Sequence, residues 1–177
     1  GGGGIATGEA VANTDILSAA NVNAGSGAQL TSQADVFMFA SQYFEGNGYA
    51  TSESYGAGAS AYSTIGFTVG LPVPGQATAG INIGQNSNVY AKRTLTLDTQ
   101  VDGGTISSHG FSQVGAAIGD ADTDVITSLS TMARVDIQTG ATLFGEDHVD
   151  IVSEHKGVFQ DSGEAEIVAS AGQSGRV

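Results

Sequence analysis

The sequence predicts an all-β fold, a right-handed parallel β-solenoid (β-helix) built of about three tandem repeat units. Three observations predict it. Blocks of apolar residues recur in one pattern at two fixed shifts, and apolar residues alternate with polar ones inside each block. Gly or Asn falls at matching places between the strands so defined.

The repeat is the strongest of the three. Ala20-Asn21-Val22-Asn23-Ala24, Leu30 and Asp35-Val36-Phe37-Met38-Phe39-Ala40 form the first block. A shift of 59 residues gives Ala79-Gly80-Ile81-Asn82-Ile83, Val89 and Thr94-Leu95-Thr96-Leu97-Asp98-Thr99. A further 54 gives Ala133-Arg134-Val135-Asp136-Ile137, Leu143 and His148-Val149-Asp150-Ile151-Val152-Ser153. No gap is needed within a block. The units run approximately 1–59, 60–113 and 114–177, as one continuous array over 1–177.

The alternation assigns faces. Val36 and Met38, like Leu95 and Leu97 or Val149 and Ile151, sit two apart and so point to one side of a strand. Val22, Val36, Ile81, Leu95, Val135, Val149 and Ile151 are expected buried, stacked in ladders, with Asn82, Asp98 and Asp136 exposed. Phe37 and Phe39 break the code, as cover for a neighbouring layer or as a sticky patch. Gly25-Ser26-Gly27, Gly84-Gln85-Asn86 and Thr139-Gly140 are the corners, because Gly and Asn tolerate positive φ. Each coil buries its apolar face only against its neighbours.

Each unit ends in a Gly/Ala/Ser-rich stretch: 48–66, 103–119 and 157–175. Small residues on both faces permit close packing and weaken strand propensity. A longer strand in the stack and a lateral flap both fit. Helix is unsupported, since no extended i, i+3, i+4, i+7 apolar pattern occurs. The alternative architecture is a series of stacked antiparallel β-sandwich repeats.

Composition excludes several classes. Of 177 residues 27 are Gly, without a three-residue period, and 2 are Pro, which excludes collagen. Asp and Glu number 18 against 5 Lys and Arg, a formal charge of −13. Nucleic-acid binding needs clustered cations, and only Lys92-Arg93 are adjacent. There is no cysteine and no apolar run long enough to span a bilayer as a helix. The chain begins Gly1-Gly2-Gly3-Gly4 and is expected to be a piece of a longer repetitive one.

The motifs Ala20-Asn21-Val22-Asn23-Ala24, Gly27-Ala28-Gln29-Leu30 and Asp35-Val36-Phe37-Met38-Phe39-Ala40, after a Gly-rich run, resemble the repeats of large secreted bacterial surface proteins. These are the filamentous-haemagglutinin-like and other β-strand-repeat exoproteins. The resemblance implies a secreted, elongated β-solenoid at the cell surface, with adhesion, surface-layer or filament roles. It brings no catalytic residues. Departures from the pattern are Tyr43, Phe44, Tyr49, Tyr55 and Tyr62, and the Pro72-Val73-Pro74 insertion.

Among candidate sites, Asp120-Ala121-Asp122-Thr123-Asp124 is the sharpest. Carboxylates at alternate positions resemble the first half of a calcium loop, and Asp120, Asp122 and Asp124 are the candidate metal ligands. Val125 stands where the loop glycine belongs and Thr131 where its twelfth-position Glu belongs. A solvated acidic turn is the plain alternative. Glu146-Asp147-His148 with Glu154-His155 has no zinc-type spacing. Ser108-His109 lacks an orienting third group. Thr94 and Thr96 match Asp35, Phe37, His148 and Asp150, so no Thr array extends across coils. No Asn-x-Ser/Thr sequon occurs, and O-linked sugars on Ser or Thr leave no signature.

The expected function is structural, without catalysis: a segment of a surface filament, stalk or adhesin shaft. Its partners are copies of itself end to end or further coils of the same chain, with a carbohydrate or cell surface as target. No cofactor other than Ca²⁺ is implied. The contact is expected from strands near Ala6–Val11 at one end and Ala165–Ala169 at the other. Two alternatives remain. One is a carbohydrate-active solenoid, lyase or hydrolase, which needs paired carboxylates on adjacent coils facing one way. The other is a calcium-dependent assembly module.

Overall fold

The computed structural model describes residues 4–70, 76–157, 159–169 and 173–176. The Pro72-Val73-Pro74 insertion and Gly1 to Gly3 lie outside these residues. The described chain is all-β and forms a parallel β-solenoid. Its strands are β1 (Ile5–Ile16), β2 (Ala20–Ala24), β3 (Gln29–Ser32), β4 (Val36–Gly70), β5 (Ala79–Ile83), β6 (Asn88–Ala91), β7 (Thr94–Ser130), β8 (Ala133–Ile137), β9 (Thr142–Gly145), β10 (His148–His155), β11 (Phe159–Ala169) and β12 (Gln173–Arg176). They form three sheets: β2-β5-β8, β3-β6-β9, and a larger one in which β1, β4 and β7 lie in order and β10, β11 and β12 line the far side of β7. Every described pairing is parallel. The antiparallel sandwich is thereby excluded.

The register of the short sheets is the register of the repeat. Val22, Ile81 and Val135 stack, as do Leu30, Val89 and Leu143. Val36, Leu95 and Val149, and Met38, Leu97 and Ile151, do the same at the start of the long sheet. A one-residue slip would turn each apolar set outward, so the alternation pins the pairing.

The first corner repeats as closely. Gly27, Asn86 and Gly140 occupy equivalent positions with φ of 70°, 55° and 76°. Each turn is closed by a backbone N–H bonding three residues back: Ala28 to Gly25 (3.0 Å), Ser87 to Gly84 (3.3 Å) and Ala141 to Gln138 (3.1 Å). The turns also bond to one another up the stack, Gly27 N to Gln85 O at 2.8 Å and Asn86 N to Thr139 O at 3.2 Å. At the second corner Asp35 accepts from Thr94 N (3.0 Å) and pairs with Arg93 (2.5 Å), tying the first coil to the next.

The first two Gly/Ala/Ser-rich stretches belong to β4 and β7, which double back on themselves, and the described part of the third forms β11 and β12. Residues 46 and 67 of an extended strand would stand ~70 Å apart. Yet a Cβ on Gly46 would lie 3.2 Å from the Phe67 ring, and one on Gly48 2.7 Å from it. In β7, Ser112 Oγ donates to the Asp122 carbonyl at 2.7 Å. The bends fall at Gly56-Ala57-Gly58 and Ala116-Ala117-Ile118, where the β4–β7 ladder omits Ala57 and Ala117. Each coil is thus a three-sided head plus an arm of two facing limbs. Before the arm, β7 carries one extra residue relative to β4, since Gln42 pairs Val101 while Phe44 pairs Gly104. Gly103, with φ of 85°, absorbs it as a bulge. The unit boundaries at 60 and 114 fall inside β4 and β7, because a continuous array has no privileged starting point.

The core expectations divide by level. Ile81 and Leu95 of the middle coil are buried, while Val22, Val36 and Val135 are half-buried. Val149 and Ile151 were expected buried and are instead 38% and 48% exposed, against 0% for Leu95 and Leu97 beneath them. They point inward as expected, but no described strand lies on the far side of β10 to cover them. Asn82, Asp98 and Asp136 keep the outward face but are only half-exposed, because ladder neighbours stacked ~4.8 Å away shade them.

Candidate functional site

The acidic run lies in the returning limb of β7. Ala121 and Thr123 point into the arm and are buried; Asp120, Asp122 and Asp124 share the outward face. The segment is strand, neither loop nor turn, so consecutive carboxylates are ~6.5–7 Å apart along an extended backbone rather than wrapped around a point. Their register neighbours on β4 are Ser60, Tyr62 and Thr64. Among the described residues no group of three or more His, Asp or Glu side chains is placed to hold a metal.

The histidine candidates separate for a simple reason. His148 and His155 are an odd number of residues apart on one strand, so they face opposite ways. His148 Nε2 lies 3.1 Å from Asp150, and Glu154 pairs with Lys156 at 3.0 Å. The Lys156 ammonium is held above its usual pKa, first by that hydrogen bond to Glu154, with Asp98 and Asp102 adding smaller attractions. Ser108 and His109 are adjacent and therefore also diverge. Ser108 Oγ is buried in the arm without a protein partner, while the His109 ring stacks on Tyr49 outside, centroids 5.2 Å apart.

The carbohydrate-active alternative needs carboxylates paired across coils. In none of the described strand pairs does one carboxylate stand opposite another. The ladders place Asp98 beside Phe39 and Val152, Asp136 beside Asn82, and Asp122 beside Tyr62. Like charges directly opposite destabilise a sheet, and a chain with this acidic excess avoids them.

The extra aromatics of the first unit close the seam between coils. Phe44 is the exception, pointing inward and fully buried. Tyr43 lies 3.1 Å from Thr105 Oγ1, Tyr49 stacks on His109, and the Tyr55 ring covers Gly115, where a Cβ would collide with it. Phe37 and Phe39 are the exposed patch of the two readings offered, stacked on each other at 5.8 Å. Tyr90 and Phe144 stack at 5.3 Å on the β3-β6-β9 face, and the Tyr90 hydroxyl donates to Glu146, which raises its pKa.

Two features escaped the sequence reading. One is a groove outside the β2-β5-β8 sheet, lined by amides. In the sequence these were only the polar half of an alternation; the one local signal was Gly80, a missing side chain in a polar column. The other is the contrast between the middle and outer coils, which no single repeat reveals. Comparison with protein-family models, with curated proteins and with solved structures finds no match.

Proposed function

We propose that this chain is a structural segment of a secreted surface filament, stalk or adhesin shaft, elongated by stacking further coils of the same kind on its two faces. One observation carries the reading: the core ladders are sealed in the middle coil and lose cover on the outer ones, wholly at the head of the third coil and in part on the first, where Met38 stays buried. Val89, Leu95 and Leu97 are buried, while Leu30 of the first coil and Val149 and Ile151 of the third are exposed. Leu129 of β7, which stacks on the buried Val69, is exposed as well. Covering an aliphatic side chain of this size is worth ~1.5–3 kcal/mol. A coil with the same register fits such a face, because it supplies both apolar rungs and parallel backbone partners. Edges left unpaired template further pairing, and a head-to-tail contact that does not close propagates as a filament.

The edge strands support the geometry. Among the described residues, β1, which contains Ala6–Val11, pairs with β4 alone, and β11, which contains Ala165–Ala169, pairs with β7 alone. Among the described residues no helix is long and apolar enough to cross a membrane. Light scattering across a concentration series tests the proposal on the 177-residue chain. Concentration-dependent growth is expected, visible as rods by electron microscopy and slowed by Ile151→Lys. A monomer at every concentration would overturn end-to-end growth.

A further inference from the structure

Outside the β2-β5-β8 sheet lies an open groove of about 670 Å³. Its size falls within the ~300–1,000 Å³ of small-molecule sites. Its chemistry is unlike the rest of the surface. The outward positions form a grid of two columns and three levels: Asn21, Gly80 and Arg134, then Asn23, Asn82 and Asp136. Adjacent levels are ~4.8 Å apart, and the columns ~6.5–7 Å. Gln76 and Gln138 add amides at the margins. Gly80 supplies no side chain of its own at the middle level. A Cβ there would lie 2.6 Å from Asn21 Oδ1, so the amide of the coil below occupies the space a side chain would take.

The polar groups are organised. Gln138 Nε2 donates to Asn82 Oδ1 at 3.2 Å, leaving the Asn82 amide N–H groups for an incoming acceptor. Arg134 is locked to Asp136 at 2.6 Å. With that pair closed, the groove carries no net charge, on a chain of −13.

We infer that this groove binds a neutral, unbranched oligosaccharide lying along the stack. A sugar hydroxyl donates one hydrogen bond and accepts others, and a carboxamide matches it with a carbonyl acceptor and two N–H donors held in one plane. Five amides in one groove repeat that match at the spacing of the coils. Polyanionic glycans are disfavoured, since the one arginine is already paired and the surrounding field is negative. A peptide is disfavoured too, because the groove has no aromatic or deep apolar pocket to anchor a side chain. The inference stands apart from the assembly proposal: the groove faces sideways and remains open whether the chain is single or stacked.

Titration calorimetry of the full chain with cellohexaose, xylohexaose and mannohexaose, and with hexagalacturonate as the anionic control, tests it. At least one neutral hexasaccharide is expected to bind, and the uronate to give no heat. Asn82→Ala and Gln138→Ala should each weaken binding about tenfold, the loss of roughly one good hydrogen bond. Gly80→Gln, which would push the Asn21 amide out of its place, should abolish it. Asn47→Ala, on the long sheet, should leave affinity unchanged, and circular dichroism should show each variant folded. No heat with any neutral sugar at millimolar concentration would overturn the inference. So would tighter binding of the uronate, or affinity unaffected by Asn82→Ala and Gly80→Gln together.

Discussion

In the head of the coil, Ile81, Ile83, Val89, Leu95 and Leu97 fill the middle level with branched aliphatics, stacked rung on rung. In the outer arm the same depth is filled by Ala59, Ala61, Val114, Ala116 and Ala121, and by the hydroxyls of Ser63, Ser112 and Thr123. The long sheet runs through both regions, with two short sheets added in the head, and the regions differ in what holds them. In the head, three sheets enclose a volume that large side chains must fill. In the arm, two limbs of one strand face each other, and their separation is set by whichever residues stand opposite. Phe67 is accepted because Gly46 and Gly48 face it. Further along the arm, short of the bends, Ser63, Ser112 and Thr123 form a closed hydroxyl cluster with spacings of 2.9 to 3.0 Å. The head is therefore stabilised by large side chains filling one volume; the inner arm buries Phe44, Ile65, Phe67 and Ile106 as well, but fits them against glycines.

The largest expected effect separates the levels of the head. Leu97→Ala should cost ~2–5 kcal/mol, the range for emptying a sealed aliphatic site. Ile151→Ala, on the same ladder but open, should cost well under half of that in denaturant unfolding of the unassembled chain. Equal losses would mean that the third coil is covered and the contrast between levels is void.

A smaller effect tests the arm. Gly48→Val places a side chain against Phe67, and overpacking costs ~1–3 kcal/mol. Phe67→Ala alone should cost ~3–5 kcal/mol, and the two together less than the sum of the single losses, because the two positions share one space. A double-mutant cycle reads the coupling; additive losses would show that the limbs do not meet there.

The smallest effect concerns the hydroxyls. Ser108 Oγ is buried without a protein partner, whereas Ser63 bonds to both Ser112 and Thr123. Ser108→Ala should be neutral or stabilising by up to ~1 kcal/mol, and Ser63→Ala should cost about 1 kcal/mol. Thermal melts of the two variants shifting in the same direction would remove the distinction between a satisfied and an idle hydroxyl.

The coil register and the corners were legible in the sequence because both depend on local rules. A two-residue period assigns faces, and the shifts of 59 and 54 residues place Val22 over Ile81 and Val135 without reference to anything distant. The positive φ at Gly27, Asn86 and Gly140 likewise follows from residue type. The acidic run was legible as alternation but not as strand: Asp120, Asp122 and Asp124 have a loop-like composition, and it is pairing with Ser60, Tyr62 and Thr64 of β4 on one side, and of Asp120 and Asp122 with β12 on the other, that makes the segment extended. The tertiary structure alone decided the rest. The bend at Gly56-Ala57-Gly58 depends on which residues meet across the arm, and residues 46 and 67 are too far apart in the chain for any local pattern to pair them. Exposure of Val149 and Ile151 depends on what lies over the coil rather than on the residues themselves, which match their buried counterparts in chemistry. The amide groove arises from three coils each contributing two outward positions, so its shape is a property of the stack and not of any repeat within it.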